Sequence, residues 1–301
     1  MKHILLIATG GTICCRDTGN GLAPALTGEE LLAFLPGIAS ICCVTVCDLF
    51  SMDSTDITAR ERLRIAACIR ENYEKYDGFV VTHGTDSMAY SAALLAHLCK
   101  NLRKPVILTG SQKPIGVPDS DAERNLTDAL RVAASDCIGV AAVMYGKIIG
   151  GEHLVKVHSS DPEGFASINA PLRGTINADG VHLADVPAPC GAPAFVETID
   201  ANVMLLKLLP DMDPALFTFL EQYDKVILEA FGAGGLPARL EQAVQKLIAS
   251  GTRVYITTQC VAGGVDLSVY EVGRRAEALG AVSLGKRTIE DAVAAIQCGD
   301  I

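Results

Sequence analysis

The sequence predicts an α/β protein with a larger N-terminal domain, built on a doubly wound and mainly parallel sheet, and a smaller C-terminal α/β domain. Strand-like apolar runs alternate with helical segments through the first half of the chain. A proline-rich break is followed by a second, shorter alternation of the same kind. With 301 residues, half of them apolar, the chain is long enough to bury a large core.

The first domain is predicted to contain five strands and four intervening helices. The strands are 2–8, 40–50, 78–82, 105–109 and 139–145, and the helices are 28–35, 58–76, 86–99 and 119–135. Three helices open with a hydroxyl residue followed three positions later by glutamate, which is the pattern of a capping box. These pairs are Thr27 with Glu30, Thr58 with Glu61, and Ser120 with Glu123.

The domain boundary is predicted at a segment with three prolines, Pro187, Pro189 and Pro193. We therefore expect an N-terminal domain over 1–183, a linker over 184–201 and a C-terminal domain over 202–301. Within the C-terminal domain the predicted strands are 203–209, 225–230 and 253–258, and the predicted helices are 213–222, 236–250, 267–279 and 288–297.

Composition excludes several functional classes. The formal net charge is −10 and no Lys/Arg-rich segment stands out, so we expect no nucleic-acid partner. No apolar run approaches membrane-spanning length, and the first run, 4–8, is too short for a signal-peptide core, which predicts a cytoplasmic protein without membrane partners. The 11 cysteines form no Cys-x-x-Cys pair and are expected to be reduced and mostly buried, without a metal.

Two strand-like runs end in glycine and threonine, at Thr9-Gly10-Gly11-Thr12 and at His83-Gly84-Thr85-Asp86. Because parallel strands present their carboxyl ends at one edge of the sheet, the two segments predict one threonine-based site. A plain tight turn or a phosphate loop is the alternative for the first segment. No Walker or Gly-x-Gly-x-x-Gly pattern opens a helix there, which weakens the nucleotide interpretation.

The segment after Thr12, residues 14–25, contains Gly19, Asn20 and Gly21 and few large apolar residues. This composition is typical of a mobile lid rather than of packed structure. A threonine hydroxyl needs a base or a charged neighbour to become a nucleophile, so a lid beside Thr12 suits catalysis.

Four other positions could belong to the site, but each also fits an ordinary structural role. Asp86 fits a helix N-cap, or a group that holds a substrate ammonium. Asp53 and Ser54 fit an ordinary turn, or a head-group site for an amino acid. Lys156 lies in an alternating segment that predicts a strand or hairpin, where it points either to solvent or into a site. His83 is expected to be a packed strand residue.

These motifs together resemble the bacterial-type L-asparaginases, and the resemblance covers nearly the whole chain. The family's two signatures match Thr9-Gly10-Gly11-Thr12-Ile13 and His83-Gly84-Thr85-Asp86, at a separation that is highly specific. Asp53-Ser54 is similar to the family's substrate-binding turn, and Thr109-Gly110-Ser111-Gln112 to its third strand-end motif. Thr258-Gln259-Cys260 resembles a motif of the cytoplasmic type I branch.

The resemblance implies an enzyme that hydrolyses the side-chain amide of L-asparagine to L-aspartate and ammonia, without a metal or an organic cofactor. It assigns the attack on the amide carbon to Thr12. Proton handling is assigned to Thr85, Asp86 and Lys156 as a group.

The resemblance also implies the substrate contacts. Asp53, Ser54 and Asp86 would hold the α-ammonium and α-carboxylate groups. Gly11, Gly84 and Thr85 would complete the binding set, and backbone N–H groups near Gly11 and Thr85 would hold the oxyanion. By the same resemblance the chain is expected to form a homodimer or homotetramer.

Two positions depart from the family pattern. Leu22 stands where members usually carry a lid tyrosine, and no tyrosine lies between Thr12 and Tyr73, so the usual activator of the nucleophile is missing. Leucine cannot donate or accept a proton, so either another group takes this role, or catalysis depends on the Thr85-Lys156 pair, or turnover is slow. Reduced turnover is the hypothesis that a Leu22→Tyr substitution would test. Gly235 stands where many relatives place an asparagine that reaches a neighbouring subunit, so that contact is not expected here.

Two alternative functions follow from the same residues. A glutaminase-asparaginase differs only by one methylene of substrate, worth about 1–3 kcal/mol in a pocket. A weakly active amino-acid-binding member of the family would still bind the amino-acid head group, while Leu22 would have reduced its catalytic activity. The amide-releasing subunits of tRNA amidation usually carry an additional N-terminal domain, whereas Thr12 stands near the start of this sequence, which favours a free-standing enzyme.

Overall fold

The computed structural model describes residues 1–19 and 21–301, and the chain divides into two compact units, Met1–Thr198 and Ile199–Ile301. The first unit contains four α-helices in its described residues: α1 (Gly28–Leu32), α2 (Ala59–Asn72), α3 (Met88–Leu98) and α4 (Ala122–Ala133). Its strands are β1 (His3–Gly10), β2 (Cys15–Asp17), β3 (Leu22–Pro24), β4 (Cys43–Met52), β5 (Gly78–Thr82), β6 (Cys99–Lys100), β7 (Pro105–Thr109), β8 (Gly139–Met144), β9 (Lys147–Gly150), β10 (Leu154–Lys156), β11 (Phe165–Ser167), β12 (Gly174–Asn177), β13 (Gly180–Leu183) and β14 (Ala194–Phe195).

The main sheet has the strand order β13-β12-β9-β8-β7-β5-β1-β4. The five strands from β8 to β4 run parallel, and β9, β12 and β13 extend the sheet antiparallel. The sequence predicted the parallel strands and missed the antiparallel ones. Strand β8 ends at Met144 rather than 145, because Tyr145 and Gly146 adopt positive φ angles of 49° and 77° and turn the chain into β9.

Both faces of the main sheet are covered, as the predicted doubly wound fold requires. Helices α1 and α4 pack on one face, around a core that includes Leu6 and Val80. All five residues of β5 are buried, including Phe79 and Val81, which alternate with Val80 and so point to the opposite face. Helix α3 contacts β8, and α2 packs against α3. The predicted fold class is confirmed.

Two of the three predicted capping boxes form. The Thr27 and Thr58 pairs each show the reciprocal hydrogen bonds between hydroxyl residue and glutamate. The third prediction was wrong: α4 begins after Asp121, and Ser120 instead donates to the carbonyl of Lys113 and accepts from the N–H of Ala122. The Ser120 hydroxyl therefore ties the preceding loop to the helix start.

The second unit has a four-stranded parallel sheet in the order β15-β16-β17-β18. Its strands are β15 (Val203–Lys207), β16 (Lys225–Ala230), β17 (Arg253–Thr258) and β18 (Val282–Ser283), and its helices are α5 (Phe217–Leu220), α6 (Ala238–Ala249), α7 (Glu271–Ala278) and α8 (Ile289–Gln297). The predicted helix 213–222 is shorter than expected, because it opens as a 3-10 turn over Pro214–Leu216. The predicted helix 267–279 begins only at Glu271.

None of the helices in the described residues is long and apolar enough to cross a membrane. Six cysteines are buried, Cys14, Cys15, Cys42, Cys68, Cys99 and Cys137, and the described residues contain no disulfide. The expected burial therefore holds for about half of the thiols, while Cys43, Cys190 and Cys260 are exposed.

Candidate active site

The carboxyl ends of three adjacent strands bring the predicted motifs to one edge of the main sheet. Strand β1 lies between β4 and β5 and is parallel to both, with Gly10 opposite Met52 and Ala8 opposite Thr82. Thr12, the Asp53-Ser54 turn and the His83–Asp86 segment follow these strand ends directly. The prediction that the two glycine-threonine segments meet at one edge is therefore matched by the topology.

Gly11 lies where the backbones of two of these segments approach each other closely. It has a φ of 82°, and an added Cβ would overlap the backbone nitrogen of Gly84. At Gly84 an added Cβ would stand 2.6 Å from the Ser54 hydroxyl oxygen. Any larger side chain would push the segments apart, so glycine is required where the backbones approach each other.

Thr12 begins a 3-10 turn over Thr12–Cys14 that is anchored by the Gly11 carbonyl. That oxygen accepts from the Cys14 N–H at 3.1 Å and from the thiols of Cys14 and Cys15 at 3.2 and 3.3 Å. Burial, with the neighbouring Cys15, raises the pKa of the Cys14 thiol to about 11, so it stays a donor at neutral pH. Within residues 1–19 and 21–301, no hydrogen bond involves the Thr12 hydroxyl.

The segment predicted as a mobile lid is a short β-hairpin rather than an unpacked loop. Strands β2 and β3 pair antiparallel, and the Cys14-Cys15 end is buried in the core. The prediction that this stretch is unpacked was therefore wrong at its base, because two small apolar thiols fill the space beneath the strand end. Leu22 is 57% exposed on β3, and Asn20 lies outside the described residues.

Thr85, Asp86 and Lys156 form one hydrogen-bonded group. The Lys156 ammonium donates to the Thr85 hydroxyl at 2.9 Å and to the Asp86 carboxylate at 2.6 Å. Lys156 is delivered by β10, which pairs antiparallel with β11, as the alternation of the sequence predicted. Its side chain is only 15% exposed, so it points into the site rather than to solvent.

Asp86 does not cap helix α3, so the interpretation of this residue as a helix N-cap was wrong. The helix begins at Met88 after Ser87, and no side chain caps its first turn. The Ser87 hydroxyl instead donates to the Ser54 carbonyl at 2.5 Å. The Asp86 side chain is 62% exposed and keeps its second oxygen available at the surface of the site.

The Asp53 carboxylate holds its own turn in place. It accepts from the N–H and the hydroxyl of Thr55 at 2.8 and 2.7 Å, which caps the 3-10 turn Ser54–Asp56. These hydrogen bonds, the backbone N–H first, lower the pKa of Asp53 below its usual value. The turn expected from the sequence is present, and it leaves Asp53 an anion at neutral pH beside the strand edge.

His83 is buried beneath the site in a chain of hydrogen bonds that fixes its protonation. The Gly84 carbonyl can only accept, so His83 Nδ1 carries the proton and donates to it at 2.7 Å. In the neutral ring Nε2 then accepts from the Ser91 hydroxyl at 2.8 Å, and Ser91 in turn accepts from Arg62 at 2.9 Å. Burial lowers the pKa of His83 to about 4. The residue is packed and hydrogen-bonded, as the sequence predicted, and lies one position beyond the end of β5.

Gln112 also lies at this edge of the sheet, although its residue type alone gave no reason to select it as a site residue. It follows β7, which pairs with β5, and its Oε1 accepts from the Thr85 hydroxyl at 3.3 Å. The only signal in the sequence was its place in the third strand-end motif, Thr109-Gly110-Ser111-Gln112. A side-chain amide carries no marked chemistry of its own, so only its position reveals it.

Comparisons with known proteins agree with this architecture in both units. The family model "Asparaginase, N-terminal" matches residues 3–188, and the model "Glutaminase/Asparaginase C-terminal domain" matches residues 202–299. An L-asparaginase of Thermococcus kodakarensis is 36% identical over 293 residues, covering 95% of this chain and 89% of that protein.

A second kind of relative is also similar. A glutamyl-tRNA(Gln) amidotransferase subunit of Pyrococcus furiosus is 33% identical over 292 residues, and the match covers 91% of this chain but 66% of that protein.

Among solved structures, "The thermostable L-asparaginase from Thermococcus kodakarensis" superposes with a TM-score of 0.92 at 35% identity, covering 98% of this chain and 92% of that one. Fold, family models and relatives agree with the resemblance read from the strand-end motifs. The chain is an amidohydrolase that belongs to the asparaginase/glutaminase family.

Proposed function

We propose that this protein is an L-asparaginase that hydrolyses the side-chain amide of L-asparagine to L-aspartate and ammonia, with Thr12 as the nucleophile. The observation that supports it most directly is the bonded group of Thr85, Asp86 and Lys156. It stands at the sheet edge where the Gly11-Thr12 segment packs against Gly84. A hydroxyl next to an ammonium–carboxylate pair is suited to charge and proton handling during acyl transfer.

The substrate's amino-acid head group fits the acidic side of this edge. Asp53 remains ionised because hydrogen bonds lower its pKa, and Asp86 presents an exposed carboxylate oxygen. Both are suited to an α-ammonium group. The N–H and hydroxyl groups of the Ser54 turn are the proposed partners of the α-carboxylate.

The reaction proceeds in two displacements. Thr12 Oγ1 bonds to the amide carbon, the C–N bond breaks, and the nitrogen leaves as ammonia after it takes up a proton. Water then attacks the resulting ester, aspartate leaves, and Thr12 regains its hydroxyl proton. The sum is one water consumed for one amide hydrolysed.

The oxyanion contact near Gly11 is proposed to come from the Thr12 N–H. The N–H of Gly11 itself donates to the Met52 carbonyl at 3.1 Å and is therefore engaged. In a trans peptide the N–H of Thr12 points away from the Gly11 carbonyl, which the Cys14 and Cys15 thiols hold. With the N–H of Thr85 it makes a pair of donors, each worth about 100- to 1,000-fold in kcat.

Leu22 leaves the Thr12 hydroxyl without the proton acceptor that relatives place in the lid. The leucine is exposed on the hairpin and offers only apolar cover. We therefore propose that proton transfer from Thr12 depends on the Thr85 group, at a reduced turnover.

Ammonia release distinguishes the proposal from its alternatives. L-asparagine, L-glutamine and D-asparagine are compared side by side, with Thr12→Ala, Thr85→Val and the control Thr175→Val, whose side chain is exposed on β12. We expect release from L-asparagine by the wild type and the control, and loss in both site variants. Preference for L-glutamine would support a glutaminase-asparaginase, and binding without release would support an amino-acid-binding protein.

Because the chain is also similar to an amidotransferase subunit, the same assay should ask whether it acts on free L-asparagine without a partner protein. About a third of that protein lies outside the matched region, so its activity does not transfer through the alignment. If free L-asparagine supports turnover without any added protein, the free-standing enzyme is supported.

Three further properties belong to the same proposal. A homodimer or homotetramer is supported by exposed apolar side chains on the second unit, Leu216, Phe219, Val261 and Tyr270, and sedimentation would test it. A cytoplasmic location is supported by the thiols, which remain unbridged in the described residues. The domain division 1–183, 184–201 and 202–301 would be tested by limited proteolysis.

A further inference from the structure

The hydrogen bonds around Thr85 fix the direction in which its proton points. Lys156 Nζ has donors and no acceptor, so Thr85 Oγ1 must accept in their 2.9 Å contact. Gln112 Nε2 donates to the Asp161 carbonyl at 3.2 Å, and a carbonyl can only accept. The amide oxygen of Gln112 must therefore be the atom that faces Thr85 at 3.3 Å, so Thr85 is the donor there.

Several hydrogen bonds hold the backbone around Gln112, although this residue was not among the predicted site residues. The buried carboxylate of Asp121 accepts from the N–H of Gln112 with both oxygens at 3.1 Å, and also from the N–H of Lys113 at 3.1 Å. Asn125 donates to the same carboxylate at 3.0 Å and to the Gly110 carbonyl at 2.9 Å. The strand-end segment that carries Gln112 is thus held in place by a network of hydrogen bonds.

We infer that Gln112 is a positioning residue that orients the Thr85 hydroxyl for the reaction. One lone pair of Thr85 Oγ1 accepts from Lys156, and its proton points to Gln112. The remaining lone pair is left to accept a proton or a hydrogen bond from the reacting group. Without Gln112 the Lys156 contact alone would leave two positions open to the Thr85 proton, and one of them is the position that the reacting group needs.

This inference rests on the proposed function and adds a residue to it. The hydrogen bond from Thr85 to Gln112 does not involve the substrate. Removal of the Gln112 side-chain amide should therefore lower kcat more than it raises KM. A roughly three- to tenfold fall in kcat corresponds to about 0.7–1.4 kcal/mol, which lies within the usual range for one neutral hydrogen bond.

The test compares Gln112→Met, which has similar length and no acceptor oxygen, with Gln112→Glu, which keeps an acceptor for Thr85. Both variants lose the bond to the Asp161 carbonyl, so loosening of that loop is common to both. Asp161→Ala is the matched control, because it removes the carboxylate that accepts from the N–H of Glu163 and retains the carbonyl that Gln112 uses. Thermal unfolding of each variant establishes that it is folded.

We expect Gln112→Met to lose about three- to tenfold in kcat with KM within about twofold, and Gln112→Glu to retain more of the wild-type kcat. Equal kcat in Gln112→Met and the wild type would overturn the inference. So would equal losses in both Gln112 variants, or the same loss in Asp161→Ala, since these point to the loop instead. Failure of the proposed function is a separate result: the wild-type protein would then release no ammonia from L-asparagine.

Discussion

At the scale of single residues, the site depends on how side chains divide donor and acceptor roles. Lys156 can only donate, and it engages both Thr85 and Asp86. The sequence named these three residues from a motif and a spacing, but the structure shows which atom bonds to which. Asp86 was a candidate helix cap in the sequence, and in the structure it is the hydrogen-bond partner of Lys156.

Leu22 stands where the resemblance to the asparaginases leads us to expect a lid tyrosine. We expect Leu22→Tyr to raise kcat by about tenfold or more, since a positioned proton-transfer group typically contributes about 100- to 10,000-fold and this one would be only partly placed. Steady-state ammonia release measures it. Leu22→Phe is the control, because it adds the aromatic ring without the hydroxyl, and a gain of equal size in both variants would attribute the effect to lid packing.

Gly11 offers a matched comparison with Gly19, since both have a φ of 82°. An added Cβ at Gly19 meets nothing within 4 Å, whereas at Gly11 it overlaps the backbone of Gly84. We expect Gly19→Ala to cost about 1–2 kcal/mol in the free energy of unfolding, from the backbone alone. Gly11→Ala should cost more and lower kcat by about 100-fold, because it pushes the segment that carries Thr12 away from the backbone of Gly84.

Denaturant unfolding and ammonia release separate the two effects at Gly11. If Gly11→Ala behaves like Gly19→Ala in both measurements, the close approach of the two strand-end segments is not required for the site.

At the scale of elements, helix starts were read correctly where the hydroxyl and the glutamate are free to pair. Thr58 donates to Glu61 through both its N–H and its hydroxyl. At α4 the same pattern fails, because Ser120 bonds to the loop that carries Gln112 and the helix begins one residue later. A local signal was thus overridden by a tertiary contact.

Removing each glutamate tests this difference directly. We expect Glu61→Ala to lower the free energy of unfolding by about 1 kcal/mol, the usual cost of losing a cap, while Glu123→Ala changes it by only a few tenths. Glu123 is exposed and holds the equivalent place in the box that does not form. Urea unfolding of the two variants measures the contrast, and equal costs would argue against the observed helix starts.

At the scale of the whole molecule, a buried histidine couples stability to pH. The folded-state pKa of His83 is about 4, below the usual value of about 6.5, so the unfolded chain binds more protons between these values. Stability from this group is therefore complete above about pH 6.5 and is lost as the pH falls towards 4. The shift corresponds to about 3 kcal/mol.

We expect the wild type to lose about 3 kcal/mol more than His83→Asn between pH 6.5 and pH 4, because asparagine does not titrate. Asparagine also retains an N–H that can reach the Gly84 carbonyl. The measurement is the free energy of unfolding in urea at both pH values. Parallel curves would mean that His83 is not buried in its neutral form.

The larger part of the fold was accessible from the sequence. The strands 78–82, 105–109, 225–230 and 253–258 were placed at their observed bounds, since buried parallel strands are continuous apolar runs between turn residues. The short antiparallel strands β12 and β13 were missed because they are half polar and only four residues long.

The sequence by itself determined the fold class, the family motifs and the threonines at the strand ends, because glycine and hydroxyl residues after an apolar run are local signals. Only the tertiary structure decided the contact of Gln112 with Thr85, the burial of Cys14 and Cys15, and the partner of Asp86. The contact of Gln112 with Thr85 joins residues 27 positions apart, and that of Asp86 with Lys156 joins residues 70 positions apart. Such contacts arise from sheet order, which brings distant strand ends together and leaves no local pattern in the chain.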